Sequence, residues 1–161
     1  LIIKHLILIT LTSMLIVAYA QEPVVVPLDS LQERQGIVYQ VNMQEGFTGI
    51  AESYHDNGQL QERENFKAGE RDGLTERYFE NGQLQERENF KAGERDGLDE
   101  RYFENGQLAQ KINYIAGNRD GLFELYFENG QLRERSNWKA GELITLECWN
   151  EQGLTMDCSD L

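Results

Sequence analysis

The chain has 161 residues, a mass of 18.6 kDa and a formal net charge of −13, with 28 acidic residues against 15 lysines and arginines. This length suits one domain or a short repeat array. An acidic surface repels phosphate backbones and anionic lipid headgroups, because both carry the same sign of charge. Carboxylates also cannot displace the cations that are bound to those phosphates. The charge therefore argues against nucleic acid as a partner and against membrane binding.

Residues 1–20 have the pattern of a cleaved signal peptide. Lys4 precedes an uncharged, apolar run over residues 6–17, and residues 18–20 read Ala-Tyr-Ala, the small-x-small pattern of a cleavage site. The apolar run is shorter than the roughly 20 residues that cross a hydrocarbon core. We predict cleavage after Ala20 and export to the periplasm or the exterior; a membrane anchor is the alternative.

Residues 21–45 form a lead-in with two prolines and no sustained hydrophobic period. This composition favours an extended segment, with a short strand over residues 37–42. Terminal units of a repeat array need a cover for their open edge. We therefore expect residues 21–45 to cap the segment that follows.

A tandem repeat occupies most of the remaining chain. The tetrapeptide Asn-Gly-Gln-Leu begins at four positions spaced by 24 residues, Asn57, Asn81, Asn105 and Asn129. Each unit also has a glycine-rich stretch, such as KAGERDG at residues 67–73. Asn-Gly between strand-like segments is a strong hairpin signal, since a type I′ turn needs positive φ at both central residues. Each unit is predicted to be one hairpin with a two-residue turn at Asn-Gly.

The predicted hairpin can be tested against the charges it brings together. A two-residue turn at residues 81–82 places Phe79 opposite Leu84 and Glu76 opposite Arg87. The same register in the other units pairs Glu52 with Arg63, Glu100 with Lys111 and Glu124 with Arg135. All four facing pairs have opposite charges, as cross-strand stabilisation favours. The pattern indicates β-hairpins and offers no comparable support for helices.

Side-chain alternation assigns residues to the two faces of the predicted sheet. Phe79, Leu84 and Phe90 are expected on one face, and Leu74 and Tyr78 on the other. Stacked units would align three ladders, which are Tyr54, Tyr78, Tyr102 and Tyr126; Leu60, Leu84, Leu108 and Leu132; and Phe66, Phe90, Tyr114 and Trp138. A single hairpin is marginally stable in water, whereas neighbouring hairpins cover one another's aromatic rings.

Weaker copies of the unit extend the array at both ends, giving about five hairpins over residues 46–158 and a tail at residues 159–161. The predicted fold is all-β, an elongated single-layer antiparallel meander of stacked β-hairpins. In the last hairpin, a turn around residues 152–153 brings Cys148 and Cys158 within one register step. In an oxidising compartment this pair is expected to form a disulfide; free thiols and an intermolecular bridge are the alternatives.

The repeated pattern G-L-x-x-x-Y-F-E-N-G-Q-L, closing with N-F-K-A-G-E, resembles the MORN repeat in its bacterial variant, the form also found in proteins labelled YwqK-type antitoxins. The resemblance covers residues 46–154. It implies a curved, single-layer antiparallel sheet and a role in protein contacts or scaffolding. The antitoxin label adds a second expectation, neutralisation of a cognate toxin. No catalytic residue carries over from the resemblance.

The residue pattern predicts no catalytic, cofactor-binding or metal site. After cleavage His55 would be the single histidine, at the position that Phe79 and its equivalents fill in later units. Two acidic rows recur and offer oxygen ligands that calcium accepts, but ordinary turn and edge roles explain them better. These rows are Asp72, Asp96 and Asp120, and Glu80, Glu104 and Glu128.

The aromatic rows remain open to two interpretations, an exposed contact stripe or rings covered by their neighbours. The predicted function is that of an exported, non-catalytic binding or scaffold module with a protein partner. The predicted alternative is the antitoxin role.

Overall fold

The computed structural model describes residues 22–160. The predicted signal peptide, residues 1–20, lies outside the described residues. Within residues 22–160 no helix is long and apolar enough to span a membrane.

The described chain is all-β, as predicted, and most of it forms one twelve-stranded sheet. Sequential strands pair antiparallel, and only β1 joins the sheet in parallel, against β4. The fourteen strands are β1 (Val25–Pro27), β2 (Leu31–Arg34), β3 (Ile37–Gln40), β4 (Gly49–Tyr54), β5 (Leu60–Lys67), β6 (Glu70–Tyr78), β7 (Leu84–Lys91), β8 (Glu94–Arg95), β9 (Gly97–Tyr102), β10 (Leu108–Ile115), β11 (Asn118–Tyr126), β12 (Leu132–Lys139), β13 (Glu142–Trp149) and β14 (Thr155–Met156).

Five hairpins follow one another along the sheet, namely β4–β5, β6–β7, β9–β10, β11–β12 and β13–β14. Four of them repeat nearly identical sequences, which explains why their registers are the same. The fifth is reduced, because β14 has only two residues. The predicted array of about five hairpins is confirmed.

The four predicted charge pairs face each other across their hairpins, but the predicted turn at Asn-Gly is wrong. Phe79 N–H donates to the Gln83 carbonyl, so the loop has three residues, and only Gly82 among them has positive φ. A bulge then leaves Gln85 unpaired between the Tyr78–Leu84 and Arg77–Glu86 pairs. The extra loop residue and the bulge cancel, and for that reason Glu76 still faces Arg87.

Two-residue turns with positive φ at both central residues lie instead between the hairpins. In the first of them Ala68 has φ 51° and Gly69 has φ 85°, and the flanking residues Lys67 and Glu70 pair directly. An L-residue such as alanine adopts this conformation at a cost, which the sheet contacts on both sides must offset. The equivalent turns use Ala92, Ala116 and Ala140, each followed by glycine.

The bulge also changes the predicted faces. Tyr78 and Leu84 are direct cross-strand partners, so both lie on one face, which we call the tyrosine face. The prediction that Leu84 shares a face with Phe90 is therefore wrong. Phe90 lies opposite Gly73, on the same face as the paired, buried residues Thr75 and Glu88. We call this second face the buried face.

The lead-in covers the first hairpin, where a cap was expected, but with more structure than a single short strand. β1 pairs with β4, and β2 and β3 form a separate two-stranded sheet. Val26, Phe47, Ala51 and Phe66 form a buried cluster beneath it, and Leu28, Leu31 and Val38 pack against this cluster. The Val38 N–H donates to the Gly69 carbonyl of the first inter-hairpin turn at 2.9 Å.

A disulfide joins Cys148 in β13 to Cys158, with a Cα–Cα distance of 5.4 Å. It closes a loop of 10 residues over the last hairpin, for which chain-entropy arguments give about 2–3 kcal/mol of stabilisation. Alkylation of the unfolded but unreduced protein is therefore expected to modify neither cysteine. After reduction, hydrogen exchange should accelerate in β14 and remain slow in β6–β12. Two alkylated cysteines before reduction would contradict the prediction.

Candidate functional site

The three predicted ladders lie on different faces and have different exposure. Phe66 and Tyr114 are buried, and Phe90 and Trp138 in the same ladder are half-buried on the buried face. The leucine ladder, together with Tyr78, Tyr102 and Tyr126, is half-buried, and Tyr54 alone in the tyrosine ladder is exposed. The rings are thus largely covered by their neighbours and do not form a continuous exposed aromatic stripe.

Repeated arginines cover the rings on the partner strand of their own hairpin. The guanidinium of Arg71 lies 5.5 Å from the ring centre of Phe90, and that of Arg95 lies 5.4 Å from the ring centre of Tyr114. Arg119 lies 4.9 Å from the ring centre of Trp138. Such contacts combine apolar coverage with attraction between a cation and a π-system. The arginine thus joins the two strands of its own hairpin, and Arg71 also pairs with Glu64 of the preceding unit at 2.7 Å.

The repeated asparagines make a second set of contacts between units. Within its own loop, the Asn81 side-chain oxygen accepts from the Gln83 N–H at 2.9 Å. Its amide nitrogen donates to the Glu104 carbonyl of the next loop at 3.3 Å, and Asn57 likewise donates to the Glu80 carbonyl at 2.7 Å. His55 also links two units, through its Nε2 and the Tyr78 carbonyl at 2.8 Å. These side chains hold the loops in line.

The aspartate row lies at the opposite turns and has a structural role there. The carboxylates of Asp72 and Asp96 each accept the N–H of the next turn's alanine, Ala92 or Ala116, at 3.2 Å. Asp120 does the same for Ala140 at 3.1 Å, and this N–H and the nearby Lys139 lower the pKa of Asp120. The row thus binds backbone groups, which fits the turn role that the sequence favoured.

An ion-pair network fills the middle of the buried face. Arg77 contacts Glu62 at 2.8 Å, Glu86 at 2.7 Å and Glu88 at 3.2 Å, and so joins β6 to β5 and β7. Glu88 also pairs with Arg95, and Glu86 pairs with Arg101 at 2.8 Å. Buried charges are tolerated when they are paired in this way. The network replaces an apolar core beneath the central strands.

Asp99 is the least compensated member of this network. It is 2% exposed, and among residues 22–160 neither carboxylate oxygen has a hydrogen-bond partner and the nearest cation, Arg95, is 3.8 Å away. Burial raises the pKa of Asp99 to about 6, and the neighbouring Glu88 carboxylate adds to the shift. The hydroxyl of Thr75, also buried, likewise has no hydrogen-bond partner in the described part of the chain. This point of the array is polar, buried and incompletely satisfied.

Three carboxylates of the network, those of Glu86, Glu88 and Asp99, bring oxygen atoms within 4.8 Å of one another. Such a cluster has the oxygen donors that hard cations use. Here, however, Arg95 and Arg101 already supply positive charge to the cluster. The arrangement fits an arginine–carboxylate network better than a metal site.

Comparison with known families connects these contacts to a repeat type. The family model described as the MORN repeat variant matches residues 47–68, 71–92, 95–116 and 119–140, which together make up more than half of the chain. The chain belongs to the MORN repeat variant family. Each matched MORN unit is one hairpin, closed by the Asn-Gly loop and ending at the alanine of the inter-hairpin turn. No curated protein matches the chain.

The buried network is the feature that sequence reasoning missed. The network lies in the first three MORN units. One unit later, the positions of Glu88, Asp99 and Arg101 are occupied by Ile112, Phe123 and Leu125. The later residues form an apolar cluster in which Ile112, Tyr114 and Phe123 are buried. The joint replacement of these charged residues by apolar ones in the next MORN unit is a signal, present in the sequence, that the charged residues contact one another.

Removing the charge of Asp99 is expected to stabilise the protein. Because its pKa is raised to about 6 from 3.8, the folded state binds this proton more tightly than the unfolded chain does. The stability that the bound proton contributes is present below the pKa of Asp99 in the unfolded chain. It is lost as pH rises through the pKa of Asp99 in the folded protein, and the loss is about 3 kcal/mol at neutral pH. Asp99→Asn should therefore raise the free energy of unfolding at about pH 7 and change it little near pH 4.

Urea unfolding of both proteins at the two pH values measures this difference. Asp56→Asn is the matched control, because Asp56 is exposed in a loop and its replacement should change the free energy of unfolding little. An equal effect of Asp99→Asn at both pH values would contradict a role for the charge.

Proposed function

We propose that the chain is an exported, non-catalytic scaffold that binds a protein partner. The observation that carries this proposal is the use of the repeated polar side chains. Asn81 and its equivalents join neighbouring loops, Asp72 and its equivalents join neighbouring turns, and Arg71 pairs with Glu64 of the preceding unit at 2.7 Å. Catalysis needs different groups converging on one reacting centre, whereas these contacts are distributed along the array and make it a rigid support.

The surface of the scaffold suits a basic protein. Glu80, Glu104 and Glu128 are exposed and recur along the loops of successive hairpins. The formal net charge of −13 adds a long-range attraction for positively charged partners. Export is supported by the pattern of residues 1–20 and by the Cys148–Cys158 disulfide, which suits an oxidising compartment.

The test is affinity capture from envelope and secreted fractions with residues 21–161 as bait. A control bait carries Glu80→Gln, Glu104→Gln and Glu128→Gln, which removes the acidic row while leaving the loop backbone contacts. We expect a basic partner that binds the unchanged bait, dissociates as salt rises and binds the control bait more weakly. Turnover of a substrate that a single substitution abolishes would overturn the non-catalytic proposal.

The antitoxin role is the alternative, and the resemblance to YwqK-type antitoxins supports it. It predicts a neighbouring reading frame whose product is toxic when this chain is absent. Growth arrest on expression of that neighbour, rescued by co-expression of residues 21–161, would favour the antitoxin role. Harmless deletion of this chain beside a non-toxic neighbour would exclude it.

A further inference from the structure

The last full strand of the array has an open edge. β13 pairs with β12 along one side over Glu142–Cys148, while on the other side β14 reaches only Cys148 and Trp149. Among residues 22–160, no strand pairs with the outer side of residues 142–147. Such an edge presents backbone N–H and C=O groups that can pair with another strand.

Aliphatic side chains are exposed along this edge. The exposed fractions are 47% for Leu143, 60% for Ile144 and 42% for Leu146. In the preceding unit the corresponding segment, residues 119–121, reads Arg-Asp-Gly. There the arginine covers the Trp138 ring on the following strand, and the aspartate accepts the next turn's N–H. β13 thus lacks the side chains that would hold a further strand of the same kind, and has aliphatic side chains in their place.

The edge has a defined length and charge. The Cys148–Cys158 disulfide and β14 close it at one end, which leaves residues 142–147, a strand of about 17 Å with Ile144 as a bulge between Leu143 and Thr145. Glu142 and Glu147 are exposed at its two ends. Arg135 of β12 lies opposite Glu147, but its guanidinium pairs with Glu124 at 3.0 Å. The edge therefore consists of an apolar centre between two carboxylates.

This charge pattern favours a basic strand over a second copy of the chain. If two copies paired their β13 edges antiparallel over residues 142–147, Glu142 of each would face Glu147 of the other. Facing like charges destabilise strand pairs, and each copy carries a formal net charge of −13. A strand with lysine or arginine at both ends would instead complete two opposite-charge pairs.

We propose that the outer edge of β13, residues 142–147, binds an extended peptide segment by strand addition, and that this segment has alternating apolar side chains between basic residues. The inference rests on the proposed protein-binding function and names its site and the chemistry of its partner. Backbone hydrogen bonds provide the pairing, the exposed aliphatic residues provide apolar contact, and Glu142 and Glu147 select the basic ends.

The test measures binding of the fluorescent peptide Lys-Val-Thr-Val-Thr-Val-Lys to residues 21–161 by anisotropy. Two matched peptides separate the contributions, one with glutamate in place of both lysines and one with proline in place of the central valine. Proline removes a backbone donor and cannot extend a sheet ladder. We expect each change to weaken binding at least about tenfold. Equal binding of all three peptides would overturn strand addition.

Protein variants locate the site. Ile144→Lys puts a cation into the centre of the edge and should abolish binding, whereas Ile115→Lys, at a position of similar exposure near an inter-hairpin turn, should not. Circular dichroism verifies that both variants fold. Hydrogen exchange should slow in β13 when the peptide is added to the unchanged protein. Peptide binding that survives Ile144→Lys would overturn the proposed edge.

The outcomes distinguish this inference from the proposed function. Peptide binding that depends on Ile144 supports the edge even if the envelope capture finds no partner, in which case only the proposed function fails. In another outcome, a captured basic partner binds the Ile144→Lys variant as before and binds the Glu→Gln bait more weakly. That result supports the proposed function and overturns the edge of β13 as the binding site. A dimer in light scattering that Ile144→Lys dissociates, without peptide binding, would show that a second copy occupies the edge and would overturn the basic segment.

Discussion

Phe66→Ala is expected to lower the free energy of unfolding by about 3–5 kcal/mol, the usual cost of removing a buried aromatic ring. Phe66 is 6% exposed, and its ring centre lies 5.9 Å from that of Phe47. It also packs with Val26 from the lead-in and Ala51 from β4. For a domain with a total stability of about 5–15 kcal/mol, this loss is a large fraction.

Urea unfolding measures the effect, and Phe90→Ala is the matched control. Phe90 has the same position in the next unit but is only half-buried, under Arg71. We expect a clearly smaller loss from Phe90→Ala, and faster proteolysis of residues 28–40 in the Phe66 variant alone. Equal losses would show that the ring stabilises the ladder in general and does not fasten the lead-in to the first hairpin.

The parts of the fold that could be predicted depend on local, repeated signals. Asn-Gly at intervals of 24 residues located each hairpin, and the charges of Glu76 and Arg87 indicated the register. The turn itself was predicted wrongly, yet the charge pairs were correct. The three-residue loop and the bulge at Gln85 displace the register in opposite directions, so the middle of the hairpin is unaffected.

The parts that could not be predicted depend on contacts between distant residues. The bulge at Gln85 reverses the alternation of faces, so Leu84 was placed with the wrong partners. The parallel pairing of β1 with β4 joins segments that no local pattern links. Simple alternation also does not reveal which face is buried, and Glu88 and Asp99 look like ordinary surface residues in the sequence.

The open edge had a signal in the sequence that the repeat pattern makes visible. Leu143 and Ile144 stand where each of the three preceding units has Arg-Asp-Gly. In a repeat array, a departure of this kind at the last unit indicates a changed neighbour, because each unit contacts mainly the units beside it. The sequence alone did not show that the outer side of residues 142–147 would lack a partner strand among the described residues, since this depends on how short β14 is.

Arg77→Met is expected to lower the free energy of unfolding at neutral pH by about 3 kcal/mol, near the lower end of the cost of breaking a buried ion pair. The lower end applies because Arg77 is about one-third exposed, although Glu88, one of its partners, is 2% exposed. Methionine keeps much of the apolar stem of arginine and removes the charge that balances carboxylates on both neighbouring strands.

Arg63→Met is the control, because Arg63 forms a single ion pair among the described residues, with Glu52 at 2.8 Å, and is 41% exposed. Exposed pairs of this kind contribute about 0–1 kcal/mol. Urea unfolding at neutral pH measures both losses, and Arg77→Lys, which keeps a cation, separates charge from packing. We expect Arg77→Lys to lose clearly less stability than Arg77→Met. Equal losses from the two substitutions at Arg77 would show that Arg77 stabilises the buried face by covering it and that its ion pairs contribute little.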